Sequence, residues 1–188
     1  MRLNLNLPPE FADYVFLDVE ACGLHAASYP IEIGWCGPDL VSASFLIRPP
    51  AHWSENDWSI VSERVHGISR QATIADGVDV IEAASRLNAA CAGKTIASDR
   101  PRFDQAWLAL LFTAAEIDQT FTLADTMQVE AMAARHSGLD ASELDAVRER
   151  VHRHYPHLHR AAPDVRRAAA TSIAFAMPDH IEAILCAA

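Results

Sequence analysis

The sequence predicts an α/β domain with a mixed central sheet flanked by helices. Strand-like and helix-like hydrophobic periods alternate along the chain, and Gly37-Pro38-Asp39 joins two of the strand-like runs as a turn. The later strand-like runs are separated by helical ones, an order that places parallel pairing beside an antiparallel hairpin.

The elements follow in order. Tyr14 to Glu20, YVFLDVE, is rich in β-branched and aromatic residues and reads as the first strand. IEIGWCG (31–37) and LVSASFLIRP (40–49) flank the turn and predict the hairpin. Between residues 76 and 92, Val80, Ile81, Ala84, Leu87 and Cys91 recur at helical spacing. KTIAS (94–98) is a short strand, and Trp107, Leu108, Leu111, Phe112 and Ala115 repeat the helical pattern over 103–117. FTLA (121–124) is a brief strand. Helices are expected over 125–136, 142–153, 162–176 and 179–187, with Ser137-Gly138 the clearest break.

The 188 residues suit one domain spanning 1–188 and are few for two ordinary ones. A hydrophobic share of 51% against 21% charged is globular rather than disordered composition. No apolar run approaches the roughly 18 residues of a membrane helix, so no membrane partner is expected. The opening MRLNLNLPPEFADY lacks the continuous apolar stretch and cleavage site of a secretory signal, so the expected location is cytoplasmic. Cys22, Cys36, Cys91 and Cys186 are scattered and form no CxxC pair, which argues against a zinc ribbon or a disulfide framework.

The net charge of −10 argues against a broadly basic nucleic-acid surface. Its distribution moderates that argument: between residues 148 and 167, six arginines face only Glu149 and Asp164, and Arg100 and Arg102 form a second basic spot. Arginine suits paired hydrogen bonds to phosphate, although genome composition also sets its frequency.

Three stretches hold residues suited to chemistry. In YVFLDVE, Asp18 and Glu20 are two apart, so on a strand both carboxylates share the face of Tyr14 and Phe16. They mark either a solvated strand end or a cation site, since paired acids buried without a counter-charge are costly. In SDRPRFD (98–104), Asp104 falls in the first turn of a helix, as a dipole-favoured acid or as a ligand, and Asp99 reads as turn chemistry. In HRHYPHLHRAAPD (152–164), only His159 has an acid, Asp164, five residues downstream. Pro163 is tolerated in a first helical turn, which puts Asp164 on a helix and His159 in the loop before it, with the freedom of a general base. His152, His154 and His157 read as a histidine-rich surface loop, and a metal-buffering role for the whole tract is a further alternative.

FLDVEACGL, RFD and HRAAPD, in that order, resemble the three motifs of the DEDDh 3′-to-5′ exonucleases; PIEIGW and VHGIS (65–69) match the segments that follow the first motif, and the matches span residues 14 to 164. The resemblance implies a ribonuclease H-like fold and hydrolysis at the 3′ end of single-stranded DNA or RNA. It further implies that Asp18, Glu20, Asp104 and Asp164 hold two Mg²⁺ or Mn²⁺ ions about 3.5–4 Å apart. His159 would accept the proton of the attacking water. Leu24, His66 and Phe103 match positions that pack around the terminal nucleotide, although Phe103 also suits a core and His66 a turn beside Gly67. Some such enzymes are dimers, so a homodimer is admitted.

Three departures bear on substrate handling. Ala21-Cys22 stands where threonines are frequent, Asp99 where asparagine is, and Pro163 interrupts the usual helix start. A low-activity or inactive module that keeps the fold and binds nucleic acid or a protein is the alternative; loss of one of the five catalytic residues would have favoured it, and all five are in place.

Overall fold

The computed structural model describes residue 5 and residues 7–187. Part of the opening stretch read as lacking a secretory signal, and the two ends of the expected 1–188 domain, lie outside the described residues. Five strands, β1 (Tyr14–Ala21), β2 (Pro30–Cys36), β3 (Ser42–Leu46), β4 (Thr95–Ser98) and β5 (Leu123–Asp125), form one sheet in the order β3-β2-β1-β4-β5. β1, β2 and β3 pair antiparallel, and β4 and β5 continue the sheet in parallel with β1. The mixed sheet and its hairpin are therefore as the sequence predicts.

Eight helices surround the sheet among the described residues: α1 (Ile60–His66), α2 (Arg70–Asp76), α3 (Val80–Cys91), α4 (Pro101–Ala115), α5 (Thr126–Ser137), α6 (Ala141–His154), α7 (Ala161–Ala176) and α8 (Ile181–Leu185). None is long and apolar enough to cross a membrane. The strand alternation of β1 divides the core. Val15, Leu17 and Val19 pack with residues of α3 and α4, while Phe16 packs with residues of α5, α6 and α7 on the opposite face. α3 and α4 pack on each other, and α7 crosses β1 and β2.

The structure departs from the sequence reading in several places. α1 and α2 were not expected. Each has seven residues and begins at a serine cap, Ser59 accepting the Ser62 N–H and Ser69 the Ala72 N–H, and Gly67 turns the chain between them at φ 70°. α1 turns Ile60, Val61 and Val65 outward, so no inward apolar period marks it. β3 stops at Leu46; Ile47 makes one bridge to Val78, and Pro49 and Pro50, lacking N–H groups, cannot extend the ladder. The expected helix over 179–187 splits into a 3-10 turn, Pro178–His180, and α8. α7 starts at Ala161, so Pro163 sits within its first turn, where no intrahelical N–H bond is lost. His152 and His154, expected in a loop, belong to the last turn of α6; only His157 and His159 are in the loop.

One close approach sets where α7 lies. A Cβ on Gly34 of β2 would fall 2.6 Å from the Ala161 carbonyl carbon and 2.8 Å from the Ala162 nitrogen. Gly34→Ala is expected to lower stability by about 1–3 kcal/mol, the usual cost of overpacking, measured by urea unfolding. An unchanged midpoint would show that α7 does not need this contact.

Candidate active site

Acids reach one end of the sheet from four segments. β1 carries Asp18 and Glu20 on the face of Tyr14 and Phe16, the side on which α7 packs, and the register shifts between Glu20 and Ala21. Asp99 follows β4. Asp104 lies in the first turn of α4, 2% exposed, with the Ser98 hydroxyl donating to its Oδ2 and the Arg100 N–H donating to Ser98 Oγ at 3.1 Å. Asp164 lies in the first turn of α7 and accepts the Leu158 N–H at 3.0 Å and the Arg160 N–H at 3.2 Å.

A clamp built on a buried acid holds the start of the helix that carries Asp164. Glu32 of β2, 2% exposed, accepts Arg160 Nε and Nη2 at 2.9 Å each, the Ala161 N–H at 3.1 Å and the Ser44 hydroxyl at 3.2 Å. A two-pronged guanidinium–carboxylate pair is both strong and directional, so it orients the start of α7 against the sheet. The bonds to Glu32 raise the Arg160 pKa. Glu32 drew no attention in the sequence because a lone acid in a strand carries no motif.

The carboxylates form two groups that share Asp18. Oxygens of Asp18, Glu20 and Asp164 lie within 4.8 Å of one another, as do oxygens of Asp18, Asp99 and Asp104. Asp99, read from sequence as turn chemistry, thus belongs to the cluster. Burial, and then the charges of Asp104, Glu20, Asp99 and Asp164, hold the Asp18 carboxyl well above its ordinary range. Burial, then Asp164 and Glu32, push Glu20 from 4.5 to about 7. Burial, opposed by the Ser98 hydroxyl and reinforced by Asp99 and Glu20, brings Asp104 from 3.8 to about 7. All the donors in both groups are carboxylate oxygens, a hard set suited to Mg²⁺ or Mn²⁺ rather than to thiophilic metals.

Asp18, Glu20, Asp99 and Asp104 open into a cleft of about 420 Å³. Leu24, 80% exposed, and Phe103, 52% exposed, stand on its rim, and Val61, Val65 and Trp107 add apolar wall. His66 is buried in the wall; its Nδ1 accepts the Ile68 N–H at 3.0 Å, its Nε2 is buried without a hydrogen-bond partner, and burial lowers its pKa. His159 lines the cleft, but the histidine that approaches Asp164 is His157, its Nε2 3.1 Å from Oδ2. His159 thus lines the cleft without meeting Asp164.

Other sequence features resolve into structural roles. Cys22 is fully buried, its sulfur accepting the Tyr29 N–H at 3.3 Å and its thiol meeting the Asp57 carbonyl at 3.4 Å. It ties down the loop after β1 rather than facing the cleft. The arginine-rich segment is largely paired: Arg148 with Glu130 and Asp145, Arg150 with Glu182, Arg153 with Glu149 and Arg160 with Glu32. Arg100, on the cleft, is the better placed for phosphate.

The raised acids carry a linkage consequence. Between about pH 4 and 7 the metal-free folded chain holds protons on Glu20 and Asp104 that the unfolded chain has released, so this contribution to stability falls as pH rises through that window. Mg²⁺ is therefore expected to raise the melting temperature more at about pH 8 than at about pH 5.5, and Asp104→Asn to stabilise the metal-free chain at the higher pH. Equal Mg²⁺ shifts at both pH values in thermal scans would contradict the coupling.

No family model and no curated protein matches the sequence. Solved structures do. The zinc-bound complex of Escherichia coli exonuclease I with single-stranded DNA aligns at a TM-score of 0.65 and 16% identity, covering 90% of this chain and 41% of that one. The same enzyme with a dA16 oligonucleotide gives 0.63 and 17%, over 90% and 42%. The product-bound structure of exonuclease I gives 0.59 and 16%, over 90% and 45%. The chain thus spans less than half the length of these structures, and over that span it has their ribonuclease H-like α/β fold.

Proposed function

We propose that the chain is a metal-dependent 3′-to-5′ exonuclease acting on single-stranded DNA or RNA. The observation that carries this reading is the convergence of Asp18, Glu20, Asp99 and Asp104 at the floor of an apolar-walled cleft, with Asp164 beside Asp18 and Glu20. Acids so placed repel one another, Asp18 and Asp104 have lost most of their water, and the arrangement makes physical sense as a cation site. The fold shared with exonuclease I, solved with single-stranded DNA and with product, supports the same reading.

Asp18, Glu20 and Asp164 would hold one divalent ion and Asp18, Asp99 and Asp104 a second, Mg²⁺ or Mn²⁺. Bound there, such ions offset the carboxylate charge, attract the scissile phosphate despite the net charge of −10, and ease charge development on the attacking and leaving oxygens. The chain's own residues do the rest. Leu24, Phe103, Val61 and Val65 receive the unstacked terminal nucleoside and exclude water from it. His66 closes the wall of the cleft behind that nucleoside. Arg100 meets the phosphate. His159 takes the proton of the attacking water, for which an exposed imidazole at the cleft is suited.

The test uses 3′- and 5′-labelled single-stranded DNA and RNA with Mg²⁺, Mn²⁺ or EDTA. A ladder shortening from the 3′ end, abolished by EDTA and by Asp18→Asn, is expected; His159→Ala should lower kcat by a factor of order 10²–10⁴. Absence of metal-dependent 3′ trimming on every substrate would overturn the reading, and binding without trimming would favour an inactive module.

A further inference from the structure

His157 has no part in the proposed reaction, yet it touches both His159 and Asp164. The loop from Tyr155 to Arg160 is wrapped around the Asp164 carboxylate, which accepts the N–H groups of Leu158 and Arg160 and lies 3.1 Å from His157 Nε2. The residue between those two N–H donors is His159, and it takes a left-handed backbone, φ 52°. A non-glycine residue in that region costs on the order of 1 kcal/mol or more and persists only where its neighbours hold it.

The backbone is held, but the exposed His159 ring has little to hold it. Among the described residues it makes no hydrogen bond or ion pair, and its aromatic contact is with His157, at 4.0 Å between ring centroids and 39° between planes. A long search path for an unrestrained imidazole would waste the alignment that proton transfer requires.

We propose that His157 is a positioning residue for His159. Anchored to Asp164 through Nε2, it presents the ring face against which the His159 imidazole is held over the acid cleft. The assignment rests on the exonuclease reading above and adds to it a residue that the motif spacing does not select. It also makes the general base dependent on Asp164 twice, through the backbone and through His157.

The experiment combines imidazole NMR of the full histidine-labelled chain with steady-state kinetics on a single-stranded oligonucleotide with Mg²⁺. In His157→Ala the His159 ring protons should lose the ring-current shift of the stack, and kcat should fall about 10-fold with KM changed less than about twofold, the signature of lost alignment. His157→Phe, which keeps a ring but not the contact with Asp164, should restore the ring-current shift only in part and leave kcat between those of the Ala variant and the wild type. His157→Ala with the shift lost and kcat unchanged would overturn the assignment while leaving the exonuclease reading intact. So would a Phe variant that stacks yet is as slow as Ala, or a His159→Ala variant that keeps full turnover while His157→Ala does not, which would make His157 itself the proton acceptor. A wild-type chain that trims nothing would sink the exonuclease reading and this assignment together.

Discussion

Mutual repulsion among five carboxylates is the constraint around which this molecule is organised. Asp18 sits at the centre, its oxygens close to Glu20 and Asp164 on one side and to Asp99 and Asp104 on the other. Asp18, Glu20 and Asp104 answer as buried and crowded carboxyls must, by holding their protons above the ordinary carboxylate range. A fold that keeps such a cluster together spends stability on it, and the spending is localised where three separate chain segments must meet a strand end.

The architecture shows how that meeting is enforced. The sheet order puts β1 in the centre, flanked by the hairpin partner β2 and the parallel β4, so the end of β1 is reachable from both. β4 leads directly into α4 and delivers Asp99 and Asp104. α7 crosses β1 and β2, and two features of β2 fix its start: Gly34 leaves room for Ala161, and the buried Glu32 binds Arg160 and the Ala161 N–H. Asp164 then stands within reach of Asp18 and Glu20. The start of α7 is thus held beside the acid cluster by one two-pronged ion pair whose carboxylate is buried.

Much of this was legible in the sequence, for identifiable reasons. β1 was readable because its branched and aromatic residues alternate, and the same period of two placed Asp18 and Glu20 on one face. α4 and α7 were readable from helical spacing, which located Asp104 and Asp164. What escaped has no local period or motif. α1 and α2 are short, capped by single serines, and α1 exposes its apolar side chains to the cleft. Asp99 has the appearance of any aspartate before Arg-Pro, and only the convergence of β1 with α4 makes it a neighbour of Asp18. Glu32 and Arg160 are 128 residues apart, and no spacing rule joins them. In the histidine tract the spacing to Asp164 selects His159, whereas His157 and His159 both line the cleft and it is His157 that lies 3.1 Å from the carboxylate.

Whether these acids form a divalent-cation site is tested without reference to any substrate by anomalous diffraction from crystals equilibrated with Mn²⁺. The expected result is strong anomalous density at the cluster, one peak against Asp18, Glu20 and Asp164 and another against Asp18, Asp99 and Asp104, both lost in Asp18→Asn. Density confined to the histidines of residues 152–159, or none at the carboxylates, would contradict it.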